Sequence, residues 1–323
     1  MSLEDLDLLD RKILSELDRD ARISYSALGK KLRTAKETVK YRIQQLEKRG
    51  IIKGYYTVLN LSKLGQTLHR VYLRLQNTNP KTEADIILYL SKSKNVSVIY
   101  HINGSFHLAL GVWASDIWEY ETFWQEFKEQ FGEHISDCHA SIISEYLEFS
   151  RSYLSPIKNT EKEIFSTVIK NKEEELDNTD VKLLSFISNN ARASLVEIAE
   201  KLSISVVTAR YHLKNLIKRK IIVGFRSIIN LNSLGMEYYK VDLWLTKFDK
   251  TKEIIQHIVS HQNVTYTETT LVTSDFEFDI EVESFDKFIS IMDFFRVKFP
   301  DDIKDYKYYS LVKNYKTSYV PTL

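Results

Sequence analysis

Apolar residues recur at helical spacing from the start of the chain. Leu9, Ile13, Leu14 and Leu17 mark one face of a helix over 7–18. Leu28 and Leu32 mark a second, short helix over 24–32, with a break at Arg33-Thr34-Ala35. Thr34, with Glu37 three residues later, reads as a capping box opening a third helix, which Gly50 stops. Residues 51–61 read as a strand pair or wing around Gly54.

The pattern then changes. Strands are predicted over 68–75, 96–102, 105–113 and 135–149, and helices over 82–93 and 116–131. Asn103-Gly104 between two strand-like runs is a hairpin signal. As a two-residue turn it pairs His101 with Phe106 and Tyr100 with His107. The order is βαββαβ, a split-βαβ sandwich with two helices on one sheet face.

The whole pattern is written twice. Residues 6–65 and 176–235 align at an offset of 170 without a gap, with roughly 23 of 60 positions identical. Shared stretches are Ala21-Arg22 with Ala191-Arg192, Lys31-Leu32 with Lys201-Leu202, and Thr38 and Tyr41 with Thr208 and Tyr211. Lys48–Ile52 and Asn60–Gly65 also recur, at 218–222 and 230–235. The fold class is α+β, with winged helix–turn–helix units over 1–62 and 176–232 and βαββαβ domains over 63–155 and 233–323. A charged linker spans 156–175, where Ile164, Phe165, Val168 and Ile169 fit a short helix.

Composition narrows the class. The 323 residues are 43% hydrophobic, enough for real cores, and carry one cysteine, Cys138, so no internal disulfide framework is expected. The acidic start lacks an apolar signal segment, and no run approaches the length of a membrane span. A cytoplasmic protein with no membrane partner is expected. The formal net charge is only +1, but it is unevenly spread. About nine Lys/Arg face two acids over 24–54, and about seven face two over 194–226. Two basic patches are the electrostatic footprint expected for duplex DNA.

The third helix of each unit is the expected reading head. Val39, Ile43 and Leu46 fall on its core side, and the opposite face carries long polar side chains. In copy one the candidate DNA contacts are Thr34, Lys36, Thr38, Lys40, Tyr41, Arg42, Gln45 and, on the wing, Lys53. In copy two they are Ser205, Thr208, Arg210, Tyr211, His212, Lys214 and, on the wing, Arg226. Lys36-Glu37 stands where copy two has Val206-Val207, so two unlike half-sites are expected.

Leu8-Leu9-Asp10-x-x-Ile13-Leu14, Ala21-Arg22, Leu28, Lys31-Leu32, Thr38-Val39, Arg42-Ile43, Leu46-Glu47, Gly50-Ile51-Ile52 and Gly54-Tyr55 resemble the winged helix–turn–helix of Lrp/AsnC transcription regulators. The resemblance covers about nine-tenths of the chain, as two family-like modules. It implies promoter binding, and pairing through the βαββαβ (RAM) sheets as a homo-oligomer or as a pseudo-dimer within one chain. It also implies an effector, commonly an amino acid, at the RAM hairpins. The positions matching that site are Asn103, Gly104, Ser105, Thr273, Ser274 and Asp275. The family's Gly-Asp-aromatic-Asp stretch reads Gly104-Ser105-Phe106-His107 in copy one and Ser274-Asp275-Phe276-Glu277 in copy two. Copy one therefore lacks a carboxylate for an effector's ammonium.

Two other readings stand beside this one. Siroheme decarboxylases pair similar modules and need His and Arg gathered in the RAM cleft to hold a tetrapyrrole. Strand parity sends His101 and His107 to opposite faces, and likewise Cys138 and His139. Few Arg fall in the RAM domains, and no phosphate loop, Cys-x-x-Cys pair or His-Glu-x-x-His is present. The expectation is a non-enzyme without cofactor or metal. The third reading is weakly specific, architectural DNA binding, with a steep salt dependence.

Overall fold

The computed structural model describes residues 2–157, 161–168, 173–247, 249–271 and 274–321. The first helix–turn–helix comprises α1 (Leu8–Arg19), α2 (Tyr25–Leu32) and α3 (Lys36–Lys48), followed by strand β1 (Ile52–Leu59). Asp7 and Ser24 cap α1 and α2 through backbone amides three residues on. The second copy repeats this as α6 (Asn178–Ile187), α7 (Leu195–Leu202), α8 (Val206–Lys218) and β7 (Ile222–Ile229).

β1 does not fold into a wing of its own. It pairs antiparallel with β7 of the other copy, from Ile52 opposite Ile229 to Leu59 opposite Ile222. This ribbon closes both helical cores crosswise. Ile229, Leu234 and Met236 pack with α1–α3, while Leu59 and Leu64 pack with α6–α8.

The first βαββαβ unit is β2 (Thr67–Leu75), α4 (Pro80–Lys92), β3 (Val96–Asn103), β4 (Leu108–Ala114), α5 (Ile117–Phe131) and β5 (Ile135–Phe149). The second is β8 (Glu237–Leu245), α9 (Thr251–Ser260), β9 (Val264–Thr270), β10 (Phe276–Val282), α10 (Phe285–Lys298) and β11 (Ile303–Thr317). Each sheet buries one face under its two helices. Val71, Leu73, Ile99, Leu110 and Val112 meet Ile86, Leu90, Phe123 and Phe127; Val241, Leu243, Phe278 and Ile280 meet Ile254, Ile258, Phe288 and Phe295.

The two sheets join edge to edge. The order is β2-β4-β3-β11-β8-β10-β9-β5, and β5 returns to β2, so the eight strands close on themselves. The two long strands make the closure. β5 pairs with β2 through its first half and β9 through its second, while β11 pairs with β8 and then β3. All these pairings are antiparallel, and closure leaves no open sheet edge between the copies. The pairing expected from the duplication thus occurs within one chain.

Three local expectations are corrected. The linker forms a strand, β6 (Ile164–Val168), on the free part of β5, not a short helix; Phe165 fills a gap against Tyr56 and Val58. Ile169 lies outside the described residues. α3 is N-capped by Ala35, not by a Thr34–Glu37 box, and has no side-chain cap. The Asn103 hairpin is two residues wider than a tight turn, with His101 opposite Leu108 and Tyr100 opposite Ala109. That shift keeps the parity, so His101 and His107 still face opposite sides.

The equivalent of Ala35 is Ser205, whose Oγ accepts from the Thr208 amide at 3.0 Å. Ala35→Ser should stabilise the chain by about 1 kcal/mol in urea denaturation, by satisfying one orphan amide of α3.

Candidate nucleic-acid interface and interdomain cavity

α3 and α8 each bury one stripe and expose the other. Val39, Ile43 and Leu46 are buried, as are Ala209, Leu213 and Leu216. The outward face of α3 presents Lys36, Thr38, Lys40 and Tyr41, the last 59% exposed. That of α8 presents Val207, Arg210, Tyr211 and Lys214, with Tyr211 66% exposed. Thr34, Gln45 and Thr208 are half-buried on the flanks, and Ser205 and Lys53 are exposed. The structure thus gathers most of the predicted contacts on two polar, basic helix faces.

Three predicted contacts are placed elsewhere. Arg42 is turned onto α1, bonding Asp7 Oδ2 at 2.5 Å and reaching Asp10 Oδ1 at 3.5 Å. His212 does the same in copy two, with Nδ1 2.8 Å from Asp180 Oδ1. Both lie at the same repeat position, and both hold the reading helix against the first helix. The group Asp177, Asp180 and His212 has ligand types that suit a metal. Its counterpart in copy one holds a guanidinium against the equivalent acids, so a polar contact between the two helices accounts for both positions.

Arg226 is the clearest correction. It is wholly buried, and a side chain with no exposure cannot touch a DNA backbone. Its Nη2 lies 2.8 Å from Asp18 Oδ2, its Nη1 3.0 Å from Glu148 Oε2, and Nη2 also donates to the Phe149 carbonyl at 2.9 Å. Arg151 joins the same cluster, with Nη1 2.7 Å from Asp18 Oδ1 and Nε 2.8 Å from Glu281 Oε2. The cluster draws on α1, β5, β7 and β10, and so ties both helical units to both sheets.

The repeated Ala-Arg pair also has a structural task. Arg22 Nη1 donates to the Ala191 carbonyl and Arg192 Nη1 to the Ala21 carbonyl, both at 2.5 Å. Arg22 lies over the Phe225 ring, and Arg192 over those of Tyr25 and Tyr55. Asn60 N donates to the Ile221 carbonyl and Asn230 N to that of Ile51, again as a symmetric pair. These contacts fix one reading helix relative to the other.

The predicted effector positions sit at hairpin tips. Asn103, Gly104 and Ser105 are exposed. Ser274 is buried and bonded to Glu277, and Asp275 accepts from the Leu245 amide at 2.7 Å. Thr273 lies outside the described residues. Asp275 therefore ties its hairpin tip to the end of the neighbouring strand β8, and the tip of copy one has no carboxylate.

A larger feature was not visible in the sequence. Between the ribbon and the interior of the closed sheet lies a cavity of about 720 Å³. Tyr56, Tyr100, Tyr146, Tyr238, Tyr266 and Tyr319 line it, with Arg70, Arg151, Glu148, Glu268, Asp279 and Glu281. The buried cations in and behind this wall are paired with acids, while Lys53 and Lys313 of the lining are exposed. Arg70 pairs with Glu268, and Lys240 lies 3.1 Å from Glu268, 3.0 Å from Glu277 and 3.4 Å from Asp279. Burial opposes ionisation of Glu268, but Arg70 and Lys240 outweigh it and hold its carboxyl down at about 2. Burial, reinforced by Glu277, pushes Asp242 up to about 8.

None of the histidines is among the residues that line the cavity. His69 is buried on the helix side of its sheet, stacked on Tyr120 at 4.0 Å, and burial pushes it down to about 4. His107 Nδ1 accepts from the Leu75 amide at 3.0 Å. Burial pushes the Cys138 thiol up to about 11, the direction of an unreactive cysteine.

Comparison with known proteins fits this geometry. Residues 6–47 match the AsnC-type helix-turn-helix domain, and residues 176–223 match a winged helix-turn-helix DNA-binding domain. An uncharacterized HTH-type transcriptional regulator of Pyrococcus horikoshii is 32% identical over 127 residues, 39% of this chain and 82% of the relative. The chain belongs to the Lrp/AsnC family of helix–turn–helix transcription regulators. Another relative of this family member is the proline dehydrogenase transcriptional activator of Rhodobacter capsulatus. It is 32% identical over 145 residues, 44% of this chain and 89% of that one. Each of these relatives therefore corresponds to about one module of the present Lrp/AsnC protein. The tandem arrangement has a counterpart in the crystal structure of the siroheme decarboxylase NirDL, with TM-score 0.66 and 12% identity, covering 97% of this chain and 94% of that one. That likeness is one of fold.

Proposed function

We propose that this Lrp/AsnC protein is a sequence-specific DNA-binding regulator whose two unlike heads, α3 and α8, read two unlike half-sites. The carrying observation is the pair of exposed, basic helix faces locked together by the reciprocal Arg22–Ala191 and Arg192–Ala21 bonds. Lys36, Lys40, Arg210 and Lys214 hold phosphates or guanine edges, with Lys53 beside them on the ribbon. Thr34, Thr38, Tyr41, Gln45, Ser205, Thr208 and Tyr211 lie within the same footprint. Val206 and Val207, both exposed, suit thymine methyl groups in one half-site.

A non-enzymatic role fits the cavity better than tetrapyrrole chemistry. Several carboxylates on such a substrate would need buried cations, yet Arg70, Arg151, Arg226 and Lys240 all serve protein acids, and the two lysines of the lining, Lys53 and Lys313, are exposed. Each histidine described above is bonded or stacked outside the cavity lining.

Binding-site selection from random duplexes at near-physiological salt tests the reading. The expected result is an enriched motif with two different halves. A perfect palindrome would refute unlike reading, and binding without enrichment, abolished at modest salt, would indicate DNA packaging.

A further inference from the structure

We propose that the cavity beneath the ribbon is a binding site for an alkyl diamine or polyamine. As an effector site of the regulator proposed above, it rests on that reading; as a binding site, it rests on the cavity alone.

Charge comes first. Seven carboxylates are buried in and around the barrel interior, namely Asp18, Glu148, Asp242, Glu268, Glu277, Asp279 and Glu281, against four cations, Arg70, Arg151, Arg226 and Lys240. Lys53, Lys313 and Glu237 also line the cavity but are exposed; among the buried groups carboxylates outnumber cations. A low-dielectric space with excess negative charge favours a cationic guest.

The wall pattern narrows the class. On β5 and β9, Tyr146 stands opposite Glu268 and Glu148 opposite Tyr266. Cross-strand partners share a face, so tyrosines and carboxylates alternate in a checkerboard pointing inward. The Tyr146 and Tyr266 rings lie 5.8 Å apart. Glu148 and Glu268 are diagonal neighbours on these two strands, about 7–8 Å apart, a span that two ammonium groups joined by a short alkyl chain can bridge by sharing these acids with Arg226 and Arg70. Tyrosine faces attract such cations, and the chain's methylenes pack on the rings.

Ser227 supplies a further observation. Its side chain is wholly buried and lines the cavity, and its Oγ has no hydrogen-bond partner among the described residues. An ammonium can donate to it. Ser227 and Tyr56 belong to the ribbon that joins the two heads, so a guest here touches the element that sets their relative position.

The test is calorimetric titration of the purified full-length chain, without DNA, by putrescine and spermidine, with leucine and iron-uroporphyrin as comparators. Saturable one-to-one binding of an amine is expected. Tyr146→Leu keeps apolar bulk but removes an aromatic face, and should weaken binding about tenfold with the thermal midpoint retained. Glu148→Gln should weaken it similarly; should that variant not fold, Tyr146→Leu carries the test. No saturable binding of either amine to folded protein overturns the proposal. So does unchanged affinity in Tyr146→Leu, or preferential binding of leucine. Preference for iron-uroporphyrin would overturn the regulator reading as well. Absent amine binding with an intact selected DNA motif would overturn this inference alone.

Discussion

Replacing Arg226 with alanine should destabilise the chain by about 3–5 kcal/mol, the cost of leaving buried charges without their partner. Asp18 and Glu148 would lose the guanidinium that bonds them at 2.8 and 3.0 Å, and Asp18 is wholly buried. Arg151 remains beside Asp18, which keeps the loss below that of two stranded carboxylates. The same cluster predicts an acid dependence. Burial opposes ionisation of Asp18, but Arg226 and Arg151 outweigh it and hold its carboxyl below the ordinary value. Its contribution is therefore present above the unfolded carboxylate range, near pH 4, and is lost as pH falls through the lower folded value. Urea denaturation of Arg226→Ala at neutral and mildly acidic pH should show the large loss at neutral pH and a shallower fall towards acid. A change under 1 kcal/mol would mean that the cluster does not join the domains energetically.

Arg226 also shows where sequence reading stops. It stands in copy two where copy one has Tyr56, on a segment with the basic, wing-like look of a DNA contact. Its partners, Asp18 and Glu148, lie 208 and 78 residues away. Nothing local identifies such a pair. By contrast, the helices and strands were legible because each carries its own local pattern. Phe285–Lys298 is apolar at helical spacing, and Val96–Asn103 is rich in β-branched residues.

The barrel interior escaped for a related reason. An alternating strand with one apolar and one polar face ordinarily turns the polar face to water. Here the polar faces carrying Tyr146, Glu148, Tyr266 and Glu268 turn inward, because β5 and β11 each reach across to the other copy's sheet. The repeat implied that two sheets would pair, but it did not reveal that edge-to-edge closure would enclose a polar cavity. The identity between copies at Arg22 and Arg192 reflects a reciprocal contact between them, which the repeat alone did not disclose.

Disabling one head should cost far more in DNA affinity than its own contacts. Because α3 and α8 are held by the ribbon and the reciprocal arginine bonds, docking of the first head makes docking of the second intramolecular. Linkage of this kind raises overall affinity by about 10²–10⁴-fold over one site alone. Lys36→Ala with Lys40→Ala removes two exposed cations from α3 without touching its buried stripe, and Arg210→Ala with Lys214→Ala does the same to α8. Each double variant should fold as the parent does and bind the two-part site about 10²-fold or more weakly. The slope of log affinity against log salt should fall by about one for each phosphate that the variant no longer neutralises. The two variants also separate the heads. An effect confined to the α3 variant would show that α8, with Val206 and Val207 at its tip, no longer reads DNA. Equal effects would show a two-headed reader, and crossing the variants with half-site mutations in the selected duplex would then assign each half to its helix.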